Sequence, residues 1–419
     1  MLIEFSVTNF RSIKEEVCLS LVASRDKKHG DSNVVEPKLA ENGRPIWLLR
    51  SAAIYGANAS GKTNLLRGLK TMQDIVLHSS DRLDELPVTP FRFDPECHTL
   101  PTSFEVVCVA DGVRYQYGFS ATPHEVTDEW LYAWPSGRMQ VWFERSRSET
   151  SGEPSWKFGR KLAGDREVWR RATRPQALFL STAVSLNSTQ LLPLFNWFRD
   201  RLHVASLGGW GPTFSLEYCN KNQTDIVDFL TAADLAVTDI RIVEEDFSPE
   251  MFPELKDLDE KFPGEKTIVD VFLRHQPKGG KSAELEMAEE SHGTQKMFAL
   301  AGPWLDSLDK GNVIVFDELH DNLHPALVRF LINHFHDPEA NPYGAQLVFA
   351  THDTSILDRD MFRPDQIWFC ERNEHLETRL FPLSDFRLRR GVEDLEKAYL
   401  AGRFGALPYI RGAGRQPSD

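Results

Sequence analysis

Apolar and polar side chains alternate through Leu2-Ile3-Glu4-Phe5-Ser6-Val7, which predicts a strand over residues 2–7. A second apolar run, Ser51-Ala52-Ala53-Ile54-Tyr55, leads into a glycine turn. Beyond the turn Leu65, Leu66, Leu69, Met72 and Val76 recur at helical spacing, so strand, glycine loop and helix form one βα unit. Strand patterns over Ser103–Ala110 and Val113–Ser120 flank Asp111-Gly112, a strong hairpin signal. Residues 185–262 read as mostly helical, and their last part, Glu244 to Lys261, is densely charged. Strand character returns at Thr267–Arg274 and Ala283–Met287. A helix is predicted over 293–308, a buried strand at Val313–Phe316, a helix opening at Pro325 and a buried strand at Gln346–Ala350. Residues Gly412 to Asp419 are expected to be disordered.

Composition narrows the class. Of 419 residues, 41% are hydrophobic and 26% charged, as in ordinary globular chains. No stretch reaches the roughly 20 apolar residues that span a bilayer, so no membrane partner is expected. Met1 to Phe5 lacks a basic region followed by an apolar run, which argues against a secretory signal. The five cysteines are scattered without a Cys-x-x-Cys pair. Together these features predict a cytoplasmic protein. The formal charge of −14 provides no long-range attraction to nucleic acid. DNA binding then needs a local patch, and the candidate is the run holding Arg145, Arg147, Lys157, Arg160, Lys161, Arg166, Arg170, Arg171 and Arg174. A solvated face is the commoner reading of such a run.

The chemistry concentrates in five places. Gly56-Ala57-Asn58-Ala59-Ser60-Gly61-Lys62-Thr63 matches G-x-x-x-x-G-K-[ST], a loop whose backbone N–H groups surround phosphates at a helix N-terminus. Lys62 is expected on the β- and γ-phosphates of ATP, and Thr63 on Mg²⁺. Val313-Ile314-Val315-Phe316-Asp317-Glu318 is a Walker B pattern, with Asp317 for the Mg²⁺ shell and Glu318 for the attacking water. Ser291-His292-Gly293-Thr294-Gln295 resembles the signature loop of ABC ATPases, in which Ser and Gly grip the γ-phosphate of the opposite subunit. An N-cap is the bland alternative, and the motif order favours the signature reading. His352, after the strand ending at Ala350, takes the place of a switch histidine. Asp321-Asn322-Leu323-His324-Pro325 is the expected D-loop. His320 and His324 lie four apart, but Pro325 opens a helix directly after His324 and no third ligand is evident, so no zinc centre is expected there.

These residues carry a likeness to the RecF/SMC-like branch of ABC ATPases. Val7-Thr8-Asn9-Phe10-Arg11-Ser12 resembles that branch's N-terminal element, whose Arg contacts phosphate. That role is carried to Arg11. Gly61-Lys62-Thr63-Asn64 and Asp317-Glu318 with Leu323-His324-Pro325 also resemble it. A narrower likeness, to RloA-type ATPases encoded beside RloB-type proteins in bacterial restriction and abortive-infection loci, rests on three stretches. They are Asp365-Gln366-Ile367-Trp368-Phe369, Leu383-Ser384-Asp385-Phe386, and Leu395-Glu396-Lys397 with Gly402-Arg403-Phe404-Gly405-Ala406-Leu407-Pro408-Tyr409. The signature loop departs from the transporters' Leu-Ser-Gly-Gly-Gln, and residues 140–265 are too short for a long coiled-coil arm.

The resemblance implies an α/β fold, an ABC-type P-loop ATPase head with a mixed sheet, an antiparallel β-subdomain and a helical insertion. The expected parts are 1–140, carrying the Walker A loop and β-subdomain; 141–265, a basic helical insertion; 266–386, carrying signature, Walker B, D-loop and switch His; and a tail over 387–419. The catalytic residues expected are Glu318, His352 and Lys62. ATP is expected on Arg11, Gly56, Ala57, Asn58, Ala59, Ser60, Gly61, Lys62, Thr63, Asn64, Ser291 and Gly293, with Mg²⁺ on Thr63 and Asp317. The implied assembly is a homodimer or higher oligomer that closes around ATP and controls an RloB-like nuclease or toxin in anti-phage defence. The alternative is a RecF-like ATPase that binds DNA in repair. A transporter motor is disfavoured because Asn9-Phe10-Arg11 stands where such motors place an aromatic adenine platform. A nuclease with its own Toprim domain is disfavoured because too little chain follows His352, and Asp358-Arg359-Asp360 reads as a helix terminus.

Overall fold

The computed structural model describes residues 1–39, 45–82, 84–147, 154–205, 210–246, 267–387 and 394–408. Most of the acidic run 244–261 and the whole of Gly412–Asp419 lie outside the described residues. The chain divides into two units. One comprises Met1–Gly209, Ser307–Asp321 and Val328–Asp419, and the other Trp210–Asp306 and Asn322–Leu327.

The first unit contains a six-stranded sheet with spatial order Leu202–Val204, Val313–Phe316, Gln346–Thr351, Ser51–Tyr55, Ile367–Arg372 and Thr378–Pro382. Its first five strands are parallel and the last is antiparallel. Ser51–Tyr55, Val313–Phe316 and Gln346–Thr351 are buried at every position, which is why their sequences are apolar runs without alternation. Register aligns their ends: Phe316 lies opposite Phe349, and Ile54 opposite Ala350. The residues that follow (Gly56, Asp317 and His352) therefore leave the same edge of the sheet, where ligands of open α/β sheets bind.

A second, wholly antiparallel sheet has the order Pro154–Phe158, Gln140–Arg147, Val126–Trp134, Val113–Ala121, Thr102–Ala110, Leu2–Thr8 and Val17–Ser20. Asp111 and Gly112 both have positive φ, as the predicted tight hairpin requires. The helix Lys62–His78 packs against both sheets: Leu65, Leu69, Met72 and Val76 share one core with Phe5, Val7 and Phe104 on one side and Ile54, Val313 and Val348 on the other. Buried Gln346 stitches the sheets together. Its Oε1 accepts from Leu2 N at 2.6 Å, and its Nε2 donates to the carbonyls of Leu2 and Leu49, each at 3.0 Å.

The segment expected as a helical insertion is more varied than its pattern indicated. Gln140–Arg147 and Pro154–Phe158 extend the antiparallel sheet. Three short helices follow, Arg166–Ala172, Phe179–Ser185 and Leu192–Asn196, before Leu202–Val204 joins the parallel sheet beside the Walker B strand. The second unit opens with the helix Thr213–Ala232, but Val237–Asp246 is a strand in a three-stranded antiparallel sheet with Thr267–His275 and Ala283–Glu286. The helical reading of 185–262 is corrected there, and the cause is local. A bulge between Val237 and Asp239 inserts a residue, so buried Val237 and Ile240 share a face at a spacing of three, which mimics helical periodicity.

Much of the basic run has partners within the chain, Arg145 in the core and others at the surface. Arg145 is buried opposite Glu129 and donates to Ala177 O at 3.0 Å. Arg147 pairs with Glu125, Lys157 with Glu144 and Arg170 with Glu167, while Arg166 and Arg174 donate to backbone carbonyls. Glu129 itself accepts from Tyr117 Oη and from the N–H groups of Phe179 and Leu180, capping a helix start.

One buried network sets a pH dependence. His336 Nε2 lies 2.7 Å from Ser51 Oγ and 3.3 Å from Gln366 Nε2, and burial pushes its pKa down to about 3, aided by nearby His29 and Arg50. The fold thus favours neutral imidazole. Its contribution is complete above the ordinary pKa of 6.5 and falls as pH drops towards 3, by up to ~1.4 kcal/mol per pH unit. Denaturant unfolding followed from about pH 7 to pH 4 is expected to show this loss, and His336→Gln should flatten the slope.

Candidate nucleotide site

The loop between Tyr55 and Lys62 is shaped by what it packs against. A Cβ on Gly56 would lie 2.1 Å from the carbonyl oxygen of Cys370, and one on Gly61 would lie 2.0 Å from Thr378 Oγ1. Only glycine permits either approach, and Gly61 also has a φ of +112°. Ala59, at φ 62°, adds a second left-handed residue. Three bonds hold the loop from outside: Thr378 Oγ1 to Ser60 O at 3.0 Å, Cys370 Sγ to Ser60 O at 3.4 Å, and Ala57 N to Ala406 O at 2.9 Å. Asn58 and Ala59 form the exposed crest, while Ser60, Gly61 and Lys62 are buried.

Lys62 Nζ donates to Gly56 O at 2.7 Å and Ala57 O at 3.1 Å, and burial lowers its pKa. A cation desolvated in this way is poised for an anionic partner. Thr63 Oγ1 donates to Asp317 Oδ2 at 2.8 Å across 254 residues of chain. The other carboxylate oxygen, Asp317 Oδ1, is buried without a hydrogen-bond partner among the described residues, as is Ser60 Oγ. A hydroxyl and a carboxylate, with one oxygen uncommitted, fit the hard-oxygen preference of Mg²⁺. Beside them a cavity of about 180 Å³ is lined in part by Thr63, Arg67, Lys70, Val315 and Asp317.

Glu318 adopts φ 56°, an uncommon conformation for a non-glycine residue, directly after the buried Walker B strand. Its Oε1 lies 3.9 Å from Nδ1 of exposed His352. The Nε2 atom of His352 meets Nε2 of His320 at 3.0 Å, with the two rings nearly perpendicular. Burial and the neighbouring His352 lower the His320 pKa.

Arg11 also has positive φ, and its N–H donates to Thr89 O at 2.8 Å. Its guanidinium lies over Phe10, 5.5 Å from the ring centroid, and its Nε is buried without a partner among the described residues. Burial lowers its pKa, with Arg67 and Arg92 adding to the effect, so three guanidinium groups share one neighbourhood. Ser12 and Asn64 are linked: Asn64 Nδ2 donates to Ser12 Oγ at 2.8 Å, and Ser12 Oγ meets Thr378 Oγ1 at 2.8 Å. Asn9 is structural, its amide donating to the carbonyls of Cys97 and Leu100 and its Oδ1 accepting from Phe91 N.

Ser291 and Gly293 belong to the second unit. Ser291 Oγ accepts from Thr294 N at 3.1 Å at the start of the helix His292–Lys310, so the capping arrangement is present. Ser291 is nevertheless exposed. A Cβ on Gly293 would lie 3.3 Å from Asn322 O of the D-loop. His324 Nδ1 accepts from Ala326 N and caps the following helix. Asp358 pairs with Arg329 and accepts from Asp360 N, in a turn rather than at the helix terminus that was expected.

Sequence reasoning missed Cys370, Thr378, Ala406 and His320. The first three lie more than 300 residues from the loop they hold and match no nucleotide motif. His320 was visible, but only as a neighbour of His324.

A family model described as "AAA domain, putative AbiEii toxin, Type IV TA system" matches residues 51–358. No curated protein matches the chain. Among solved structures, it is similar to the SMC head domain from Thermotoga maritima at 11% identity, covering 91% of this chain and 98% of that one, with a TM-score of 0.39. It is also similar to the SmcHead bound to the C-winged helix domain of ScpA, at 11% identity, 91% and 97% coverage and a TM-score of 0.38.

The packing of Gly61 generates a test. Gly61→Ala is expected to displace Thr378 and open the loop, weakening nucleotide binding at least tenfold by fluorescent-nucleotide titration while circular dichroism stays unchanged.

Proposed function

This chain belongs to the family of AAA domains described as putative AbiEii toxins of Type IV toxin–antitoxin systems, and from that membership and the site geometry we propose that it is a Mg²⁺-dependent ATPase acting as a nucleotide switch. It is a P-loop ATPase domain of the ABC/SMC type. The observation that carries the enzymatic reading is the Thr63–Asp317 hydrogen bond, which joins Walker A to Walker B and leaves one buried carboxylate oxygen uncommitted.

In this reading Lys62 exchanges its two loop carbonyls for the β- and γ-phosphates, and the backbone N–H groups of residues 57–63 surround them. A bound Mg²⁺ would supply charge neutralisation for the β- and γ-phosphates. Thr63 and Asp317 hold it, Glu318 orients a water and accepts its proton at the carboxylate, and His352 completes that side of the site. Arg11 supplies further positive charge. Catalysis consists of positioning and charge neutralisation, because phosphoryl transfer needs little covalent help. Ser291 and Gly293 act in trans: each triphosphate is held by the loop of one subunit and the exposed helix tip of a second copy.

The ATP-bound homodimer, or a higher oligomer, is the signalling state of an RloA-type defence ATPase that controls an RloB-like nuclease or toxin. The C-terminal stretches and the family description support this role. The repair alternative needs a DNA-binding face, and the internal pairing of Arg145, Arg147, Lys157 and Arg170 weakens its main candidate.

Two experiments test the reading. Glu318→Gln is expected to lower turnover by about 100-fold, in line with loss of a general base, and to trap an ATP-bound dimer on size-exclusion chromatography. Turnover at the wild-type rate refutes its role. Lys62→Ala and Ser291→Arg are each expected to be inactive, and mixing them should restore turnover, because one composite site in the mixed dimer is intact. If both fold normally and the mixture stays inactive, sharing of the site between subunits is refuted.

A further inference from the structure

We propose that Glu318, His320 and His352 form a site for a borderline transition-metal ion, Zn²⁺ by its donor set, and that filling it removes Glu318 and His352 from ATP turnover. The site stands on geometry alone, whereas its inhibitory effect rests on the catalytic reading given above.

One ligand atom from each of these three side chains can be chosen so that all lie within 4.8 Å of one another. The sequence pattern paired His320 with His324 and lacked a third ligand. The fold brings His320 instead to a histidine 32 residues later and a carboxylate two residues earlier. His320 Nε2 and His352 Nε2 face each other at 3.0 Å. Each ring nitrogen bears either a proton or a lone pair, and one proton between them satisfies the pair. An ion does so equally: two nitrogens ~2.1 Å from a common Zn²⁺ and this far apart subtend about 90°. Zn²⁺ has no geometric preference from its d electrons, so this angle and small movements towards a tetrahedral one are both accessible. The Glu318 carboxylate and the His352 ring are partly exposed.

The surroundings suit a metal-ligating imidazole. His320 Nδ1 lies 3.0 Å from Thr351 Oγ1, a buried hydroxyl that also accepts from Asp353 N at 3.0 Å. With Nε2 on the ion, Nδ1–H donates to this fixed oxygen, the partner that orients most metal-bound histidines. Two nitrogens and one carboxylate select Zn²⁺ over Mg²⁺, which prefers an all-oxygen shell. The set is therefore distinct from the Thr63–Asp317 pair, although it begins at the adjacent residue.

The test uses nucleotide-free, full-length protein. Calorimetric titration with Zn²⁺ is expected to show one equivalent bound, at least tenfold more weakly in His320→Ala and His352→Ala. The surface control His124→Ala should bind as wild type. Co²⁺ should give a ligand-field absorption spectrum that is lost in His320→Ala. Binding of Zn²⁺ by His320→Ala at wild-type affinity, or no such spectrum, overturns the site. Zn²⁺ should also lower ATP turnover of the wild type, reversibly on adding a zinc-selective chelator, and the inhibited-to-uninhibited ratio should approach one in His320→Ala. Zn²⁺ bound with undiminished turnover overturns the inhibitory role. If Zn²⁺ binds as expected but the metal-free protein hydrolyses no ATP, the ATPase reading fails and the site stands. If Glu318→Gln behaves as proposed but Zn²⁺ does not bind, the reverse holds.

Discussion

The phosphate loop lies so close to the hairpin Ile367–Arg372 and Thr378–Pro382 that no Cβ fits at Gly56 or Gly61. This contact constrains the rest of the site. The loop is not shaped by its own sequence alone, because Ser60 O is held by Thr378 and Cys370, and Ala57 N by Ala406. Its conformation is therefore settled during folding, and a ligand meets donors already in place. Lys62 is the counterpart of this rigidity: a buried cation that uses loop carbonyls as provisional partners.

The parallel sheet performs the second task, bringing distant carboxylates to that loop. Buried strands with aligned registers deliver Gly56, Asp317 and His352 to one edge, and Thr63 reaches Asp317 directly. The antiparallel sheet supports this through the helix Lys62–His78, which is packed on both sides, and through Gln346, which spans the two sheets. The helix that follows the loop is thus anchored in the core. The strained backbone at Glu318 is tolerated because the strand before it is buried along its whole length.

Exposure divides the site into two chemical halves. Lys62, Ser60 and Asp317 Oδ1 are enclosed, as befits groups that bind charge strongly in low dielectric. Glu318 and His352 are accessible. His320 joins the halves: it is half-buried, fixed by Thr351, and in contact with His352.

By itself the sequence determined the elements whose physics is local. The alternation of residues 2–7, the Asp111-Gly112 hairpin, the apolar strands before Gly56 and Asp317 and the helix after Lys62 all follow from side-chain period and turn chemistry within a few residues. The phosphate loop and its Walker B partner were legible for the same reason, since nucleotide chemistry dictates residue types at short spacing. Only the tertiary structure decided what depends on distant approach. Cys370, Thr378 and Ala406 became buttresses, and His320 turned to His352 rather than His324. Arg145 was drawn into the core while several of its neighbours paired on the surface, and a bulge at Val237–Asp239 disguised a strand as a helix. Such contacts are set by sheet order and register, which no window of adjacent residues encodes.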